Sequence, residues 1–496
     1  MDKLTITFPQ VKINLDTKNV SFETLEEMIF ETTQELSRTV AKKTLEDLDQ
    51  MLKSQRPEGT LENTGKRTKH FMTRFGNITY ERTRYMDHST GKSRYLLEEK
   101  LQISPNQRAS LTRHKIEIML SSAFAYRKAR EAMELFTGHS RSHEATRQSV
   151  IQESLRIIEH ERTSILRTKQ LEDPKPKAVS DIAYVEADST YLRLQRSKKR
   201  KNNRQSIKRK RCQSLEVKLG VGYTGKAPRY LEGARIAQRL ENKFSFCDIT
   251  QGSHFMEDLS LVAEKRLGLS QTKLTVVGGD GARWIKNGAE DFFARSLYVL
   301  CGFHLCRNIR RALSWRKESQ KEILALIRED KIDVALLKIQ SFIQKPKDLK
   351  EKKSLKNLYD YIHTNRQGIH AVKHIPDKAL RSKVGSTGSI ESNIDKFISH
   401  RMKKKGMSWS RSGALGLLKV KQLIANEEWE TWWTKDRTEK IKIDLKPFKI
   451  LSSNQLWKQS GEENNRLLEF ELPALGGRDQ TKPWAKVLRA LSARRF

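Results

Sequence analysis

Between residues 182 and 300 the chain runs through five short apolar stretches, and their spacing restricts the kind of fold open to it. The stretches 182–194, 215–223, 244–249, 274–277 and 297–300 have the length and the β-branched and aromatic content of strands. Residues 255–267 show helical spacing, and from about 305 to 380 the pattern is almost wholly helical and highly charged. Strands, a helix, more strands, a long helical block and a final helix from about Ser389 predict an α/β domain interrupted by an all-helical insertion. Asp173-Pro174-Lys175-Pro176 marks the boundary before it, since two prolines in a polar stretch interrupt regular structure. No internal repeat of fixed period is present.

The preceding part of the chain has a different texture. Residues 21–54 read as one amphipathic helix capped by Ser21, with Pro57 and Gly59 ending the pattern. From 64 to 101 the reading is a β-hairpin, with a strand through Thr73–Tyr85, a turn at His88-Ser89-Thr90-Gly91 and a second strand over 93–97. Residues 106–168 return to helical spacing: a helix over 118–136, a break at Gly138, and a second helix over 142–158 with Arg147 and Gln148 near its start. Such a pair is either a helix-turn-helix that reads DNA or two helices packed together, and the sequence leaves both open. The expected division is 1–105 (helix and hairpin), 106–172 (helical, DNA-binding), 175–425 (the interrupted α/β domain) and 426–496, whose basic end runs from Lys482 to Arg495.

Charge narrows the partners. Lys and Arg number 96 against 60 Asp and Glu, and the excess of 36 positive charges points to a polyanion, of which nucleic acid is the commonest. Two runs concentrate it: Lys198 to Arg211 holds nine basic residues and no acid, and His400 to Lys421 holds seven and no acid. A charge run is often only a solvated face, and 198–211 also reads as a nuclear-localisation string. No stretch approaches the roughly 18–20 apolar residues of a membrane span. The first twenty residues alternate apolar and polar side chains and lack the apolar core of a signal peptide. Four cysteines do not make a disulfide scaffold, so the expected location is a reducing, cytoplasmic compartment.

The residues able to carry chemistry are acids at strand ends. Asp188 closes an apolar strand, with Glu186 two residues back on the same face. Asp280 ends the run Val276-Val277-Gly278-Gly279, where glycines let the backbone turn and expose the carboxylate. Glu391 lies in the first turn of a helix opened by Gly385-Ser386-Thr387-Gly388-Ser389, and Asp395, one turn on, competes for its role. Converging carboxylates repel one another unless a cation neutralises them, and oxygen ligands select Mg²⁺ or Mn²⁺. Two such ions suit phosphodiester displacement. His304, in Cys301-Gly302-Phe303-His304-Leu305-Cys306, has no second Cys/His pair for a zinc site; it either orients a ligand or phosphate beside the acids or is a buried histidine satisfied by backbone. Trp284 either stacks on an unpaired base or packs in the core.

Four segments together, EADSTYLRLQ around Asp188, VVGGDGARWIKNG around Asp280, CGFHLCRNIRRAL around His304 and GSTGSIESNIDKFISHRMKKKGMSWS around Glu391, resemble bacterial insertion-sequence transposases of the ISLre type, long grouped with uncharacterised proteins and related to the Mutator-like transposases. The resemblance covers about 180–425; the hairpin TRFGNITYERTRY matches more loosely. It implies an RNase H-like catalytic domain with a helical insertion. It also implies an Asp-Asp-Glu triad at Asp188, Asp280 and Glu391 holding two Mg²⁺ or Mn²⁺ ions, and a Cys-x-x-His pair at Cys301 and His304. Ser189 departs from the small residue usual after the first Asp. The partners implied are DNA, as element ends and target, and further copies of the chain in a homo-oligomeric synaptic complex. DNA contacts are expected from Lys198, Lys199, Arg200, Lys201, Lys208, Arg209, Lys210, Arg211, Trp284, Arg401, Lys403, Lys404 and Lys405. The rival readings are an RNase H-like nuclease without strand transfer and a non-catalytic nucleic-acid-binding descendant.

Overall fold

A computed structural model describes residues 21–56, 59–170, 176–195, 214–231, 234–404 and 406–438. Helix α1 (Phe22–Ser54) begins where the Ser21 hydroxyl accepts the Thr24 N–H at 3.3 Å. It lies on a three-stranded antiparallel sheet, β1 (Leu61–Thr73), β2 (Gly76–Asp87) and β3 (Lys92–Arg94), burying Phe71, Ile78, Tyr80 and Leu97 against Ala41, Leu45, Leu48 and Leu52. The main hairpin turn is at Arg74-Phe75, not at 88–91. Gly76 holds a φ of 107° there, and the Thr73 hydroxyl donates to its carbonyl at 2.9 Å. The 88–91 turn leads only into three-residue β3, and Leu96 starts helix α2 (Leu96–Lys100) where a strand was expected.

The helical region divides into three helices, α3 (Leu111–Ala123), α4 (Tyr126–Thr137) and α5 (His143–Lys169). The helix expected over 118–136 breaks at Phe124, which is extended. Gly138, left-handed at φ 69°, ends α4 as the sequence implies. The inner face of α5 is a packing face: Val150 and Ile157 share one hydrophobic core with Ile118 of α3 and with Val217, Leu219 and Val221 of the central sheet.

That sheet contains the expected strands: β4 (Ile182–Arg193), β5 (Ser214–Tyr223), β8 (Phe244–Asp248), β9 (Leu274–Gly279) and β10 (Ser296–Leu300). A separate hairpin, β6 (Gly225–Leu231) and β7 (Ala234–Glu241), was not foreseen. The order is β10-β9-β4-β5-β8, with β9 and β10 parallel to β4, β5 antiparallel to β4, and β8 antiparallel to β5. Because side chains alternate along a strand, Ala183, Val185 and Ala187 of β4 face helices α6 (Gly252–Leu267) and α7 (Arg283–Phe292). The even-numbered residues face the opposite layer.

The insertion is all-helical, as expected: α8 (Gly302–Ala312), α9 (Lys317–Arg328), α10 (Ile332–Gln344), α11 (Leu349–Thr364) and α12 (Lys378–Lys383). The first four enclose a core of their own built on Ile309, Ile323, Ile339, Leu355 and Ile362. Glu351 ties this unit together, accepting from Trp315 Nε1 at 2.7 Å and Arg316 Nε at 2.8 Å. These bonds hold its carboxyl down at about 2, against an ordinary 4.5. The unfolded chain therefore takes up a proton that the folded one refuses, so the stabilisation is complete above pH 4.5 and is lost as pH falls toward 2. Hydrogen exchange across 302–364 is expected to accelerate over that window, and Glu351→Gln to flatten the dependence; equal acid sensitivity in the variant would contradict the assignment.

After α12 the chain returns to the sheet through α13 (Ile390–Ile394), five π-helical residues (Asp395–Ser399) and α14 (His400–Met402). Helix α15 (Arg411–Ala425) packs against α5, where Gly416 permits close approach: a Cβ there would lie 2.9 Å from Ser154 Oγ. Helix α16 (Trp429–Thr438) adds Trp429, Trp432 and Trp433 to the core shared with the sheet. No helix among the described residues is long and apolar enough to cross a membrane.

Candidate metal centre

The even-numbered residues of β4 form a line of attachment points for the segment that returns from the insertion. The Tyr184 hydroxyl accepts the Gly385 N–H at 2.7 Å. Glu186 Oε2 accepts the N–H groups of Gly388 (2.9 Å) and Ile390 (3.1 Å), and its Oε1 accepts the Tyr223 hydroxyl at 2.6 Å. Thr190 Oγ1 accepts Lys403 Nζ at 2.8 Å. Gly278 on the neighbouring strand leaves room for Glu186, since a Cβ there would sit 3.1 Å from its Cγ. Between these attachments stands Asp188.

Glu186 pairs with Gly278 as the last pair of the β4–β9 ladder, so two residues further Asp188 and Asp280 stand level where the strands part. Asp188 is 8% exposed. Glu391 arrives on the first turn of α13 and His304 on the first turn of α8, directly after β10. One ligand atom from each of Asp188, His304 and Glu391 lies within 4.8 Å of the others. His304 Nε2 approaches Glu391 Oε1 to 2.7 Å, yet the two are not aligned as donor and acceptor, and Glu391 Oε1 and His304 Nδ1 are buried without a hydrogen-bond partner. Asp280 is beside the group rather than in it. Its Oδ1 accepts the Ala282 N–H at 2.9 Å, and its backbone carbonyl accepts the Tyr361 hydroxyl at 2.8 Å.

Electrostatics follow from this crowding. Burial, the Asp280 charge and, more weakly, Glu391 push the Asp188 carboxyl up to about 7, opposed by the Ser189 N–H and by Arg307. Burial lowers His304, aided by Arg307 and resisted by Glu391 and Asp280, which favours the neutral imidazole. Two carboxylates and a neutral imidazole with unused lone pairs fit a divalent cation. Sequence reasoning placed three acids around the ions; the geometry instead groups His304, rather than Asp280, with Asp188 and Glu391 as residues that could hold an ion. Asp395 is exposed and paired with Lys404 at 3.3 Å, away from the group.

The other expected positions divide. Lys198, Lys199, Arg200, Lys201, Lys208, Arg209, Lys210, Arg211 and Lys405 lie outside the described residues. Lys403, which donates to Thr190, and Lys404, which pairs with Asp395, are both exposed. Arg401 departs from the expectation: it is 3% exposed, donates to the Ser121 carbonyl and covers the Tyr126 and Trp409 rings, so it packs α14 onto α3 rather than facing solvent. Trp284 is half-buried, edge-on to Phe255 and against Gly252, the packing alternative of its two readings. The residue whose role sequence reasoning missed is Glu186; its place two residues before Asp188 was the available signal.

Glu186→Ala would strand two buried donors, the Tyr223 hydroxyl and the Ile390 N–H, each costing about 1–3 kcal/mol, and release the helix that carries Glu391. A loss of several kcal/mol in denaturant unfolding and weaker Mn²⁺ binding are expected. Glu186→Gln, which keeps an acceptor and can donate to Tyr223, should recover most of both; an alanine variant of unchanged stability would dismiss the anchoring role.

Comparison with known proteins gives a family match over residues 15–435 to an uncharacterised protein family, UPF0236. The chain belongs to that family. Two UPF0236 proteins of Caldanaerobacter subterraneus subsp. tengcongensis are 24% identical over 402 residues (80% of this chain, 76% of the relative) and 23% identical over 425 (82% and 80%). The first carries eleven locus designations under one name. A relative from Streptococcus gallolyticus, named for its place in the vanSb 3′ region, is 22% identical over 391 residues (77% and 78%). None of these names states an activity.

Proposed function

We propose that the protein is a DNA transposase that cleaves phosphodiester bonds at the ends of an insertion sequence and joins the freed 3′-OH to target DNA. The observation that carries this reading is the convergence of Asp188, Glu391 and His304 on one point, beside Asp280 where two parallel strands part. The strand order supports an RNase H-like domain: three consecutive antiparallel strands, β4, β5 and β8, followed by two strands parallel to the first on its other side. The eleven loci sharing one relative's name fit a gene that multiplies within a genome.

In this reading Asp188, Glu391 and His304 hold a divalent cation, and Asp280, level with Asp188, lends its carboxylate to a second. Such ions supply positive charge that activates the attacking oxygen and neutralises the leaving one. The protein's own part is positional. β4 fixes Asp188, Glu186 fixes the Glu391 helix, and the turn after β10 fixes His304. Exposed Lys403 and Lys404 hold phosphates of the strand, and two copies of the chain bring two ends together.

The test is a plasmid carrying the sequences that flank the gene, incubated with Mg²⁺ or Mn²⁺ and a labelled 3′-OH end. Metal-dependent breaks at the flanks and joined product are expected, with Mn²⁺ the better ion because imidazole is a donor. Breaks without joining would favour the nuclease. Binding without breaks in either metal would overturn the catalytic reading.

A further inference from the structure

The first turn of α8 places His304 in the centre and leaves its neighbour Phe303 outside. Phe303 is 56% exposed, an unusual position for a large aromatic beside a buried polar site. Its ring stands edge-on to His304, with centroids 5.6 Å apart, and the Arg307 guanidinium lies 5.5 Å from its centre. Arg307 is close enough to Asp188 and His304 for its charge to act on both. One turn further, Arg310 is also exposed. Positions 303, 307 and 310 fall on one helical face, which therefore begins with an aromatic ring at the centre and continues outward in positive charge. No ion pair joins Arg307 or Arg310 to a carboxylate among the described residues. Trp284, the aromatic that the sequence offered for stacking, is engaged with Phe255.

We propose that this face of α8 receives the DNA strand entering the centre, with Phe303 stacking on an unpaired base next to the reacting phosphodiester and Arg307 and Arg310 holding the phosphates that follow. The inference rests on the transposase reading and deepens it. A ring at the rim suits an unpaired base because every base offers a stacking face, whereas a paired base already stacks on its neighbours. Cations at helical spacing suit a phosphate backbone.

The test uses forked DNA duplexes with 2-aminopurine at each unpaired position in turn and a fluorescein label for affinity, without metal. The full-length protein is expected to change the emission at one position. Phe303→Ala should abolish that change and weaken binding about tenfold, whereas Phe303→Tyr should keep both. Arg307→Gln should lower the salt dependence of binding by about one phosphate contact. Because these side chains are exposed, thermal midpoints should not move, which separates a contact from a folding defect. The same emission change with Phe303→Ala as with the parent protein, or no change at any position with the parent, would overturn the proposal. Cleavage of the same forks in Mn²⁺ is read separately. A parent that cleaves but shows no dependence on Phe303 ends this inference alone; Phe303-dependent emission without cleavage ends the strand-cutting reading alone.

Discussion

Glu391→Gln is expected to lower metal-dependent strand cleavage on the order of a thousandfold while leaving DNA affinity within a factor of a few. The substitution keeps the shape of the side chain and removes one of the charges that would hold a cation, and several kcal/mol of charge stabilisation corresponds to about that factor. Asp188→Asn should behave alike. Its carboxyl is 8% exposed and is pushed up to about 7 by burial and by Asp280 and Glu391, the mark of a site that works against itself without a cation. Both variants should therefore be at least as stable as the parent in the presence of a chelator, since each relieves repulsion among buried like charges. Loss of cleavage together with unchanged or raised thermal stability is the expected pair. Near-normal cleavage by either variant would remove that residue from the centre.

The largest stability effect is expected at Lys419, which is fully buried on α15. Its ammonium contacts Glu161, lies 3.1 Å from Asp248 and sits 4.8 Å from the centre of the Phe246 ring. Burial alone would lower its pKa, but the two carboxylates outweigh that and raise it. Lys419→Met would leave Glu161 and Asp248 facing each other without a cation, next to Asp258, already pushed up to about 6 by burial and its acidic neighbours. Breaking such a pair costs about 3–5 kcal/mol. Denaturant unfolding should show a loss of this size, largely recovered when Glu161 and Asp248 are replaced by apolar residues as well. A loss below about 1 kcal/mol would mean that water or another cation fills the place.

The strands of the central sheet and the helical insertion were legible because each is a run of apolar residues at one period, and that period follows from backbone geometry alone. The β6–β7 hairpin was not: its sequence is interrupted by Pro228 and studded with charges, so no alternation stands out. The break between α3 and α4 was hidden because apolar spacing continues across it; there Tyr126 packs on Trp409, almost three hundred residues later. Asp188, Asp280 and Glu391 could be found as acids where regular elements end, and His304 from its place after a strand. What Glu186 does could not be read locally, since its partners at 388 and 390 are brought back by the fold. Nor does a count of charges show direction: of the basic residues after Glu391, Arg401 and Lys419 turn into the core while Lys403 and Lys404 remain outside.

The attachment of the 385–403 segment to β4 carries a consequence for how such a protein can change. The separation of Asp188 and Glu391 is gauged by four hydrogen bonds to three side chains within seven residues of a single strand, Tyr184, Glu186 and Thr190, rather than by the length of polypeptide that loops out between them. Of that loop, His304 on α8 reaches the centre, and Tyr361 on α11 touches the Asp280 carbonyl beside it. The α9 and α10 helices can then be lengthened or exchanged without altering the distance between the two carboxylates, which leaves them the natural place for such proteins to diverge while the arrangement of Asp188 and Glu391 stays constant.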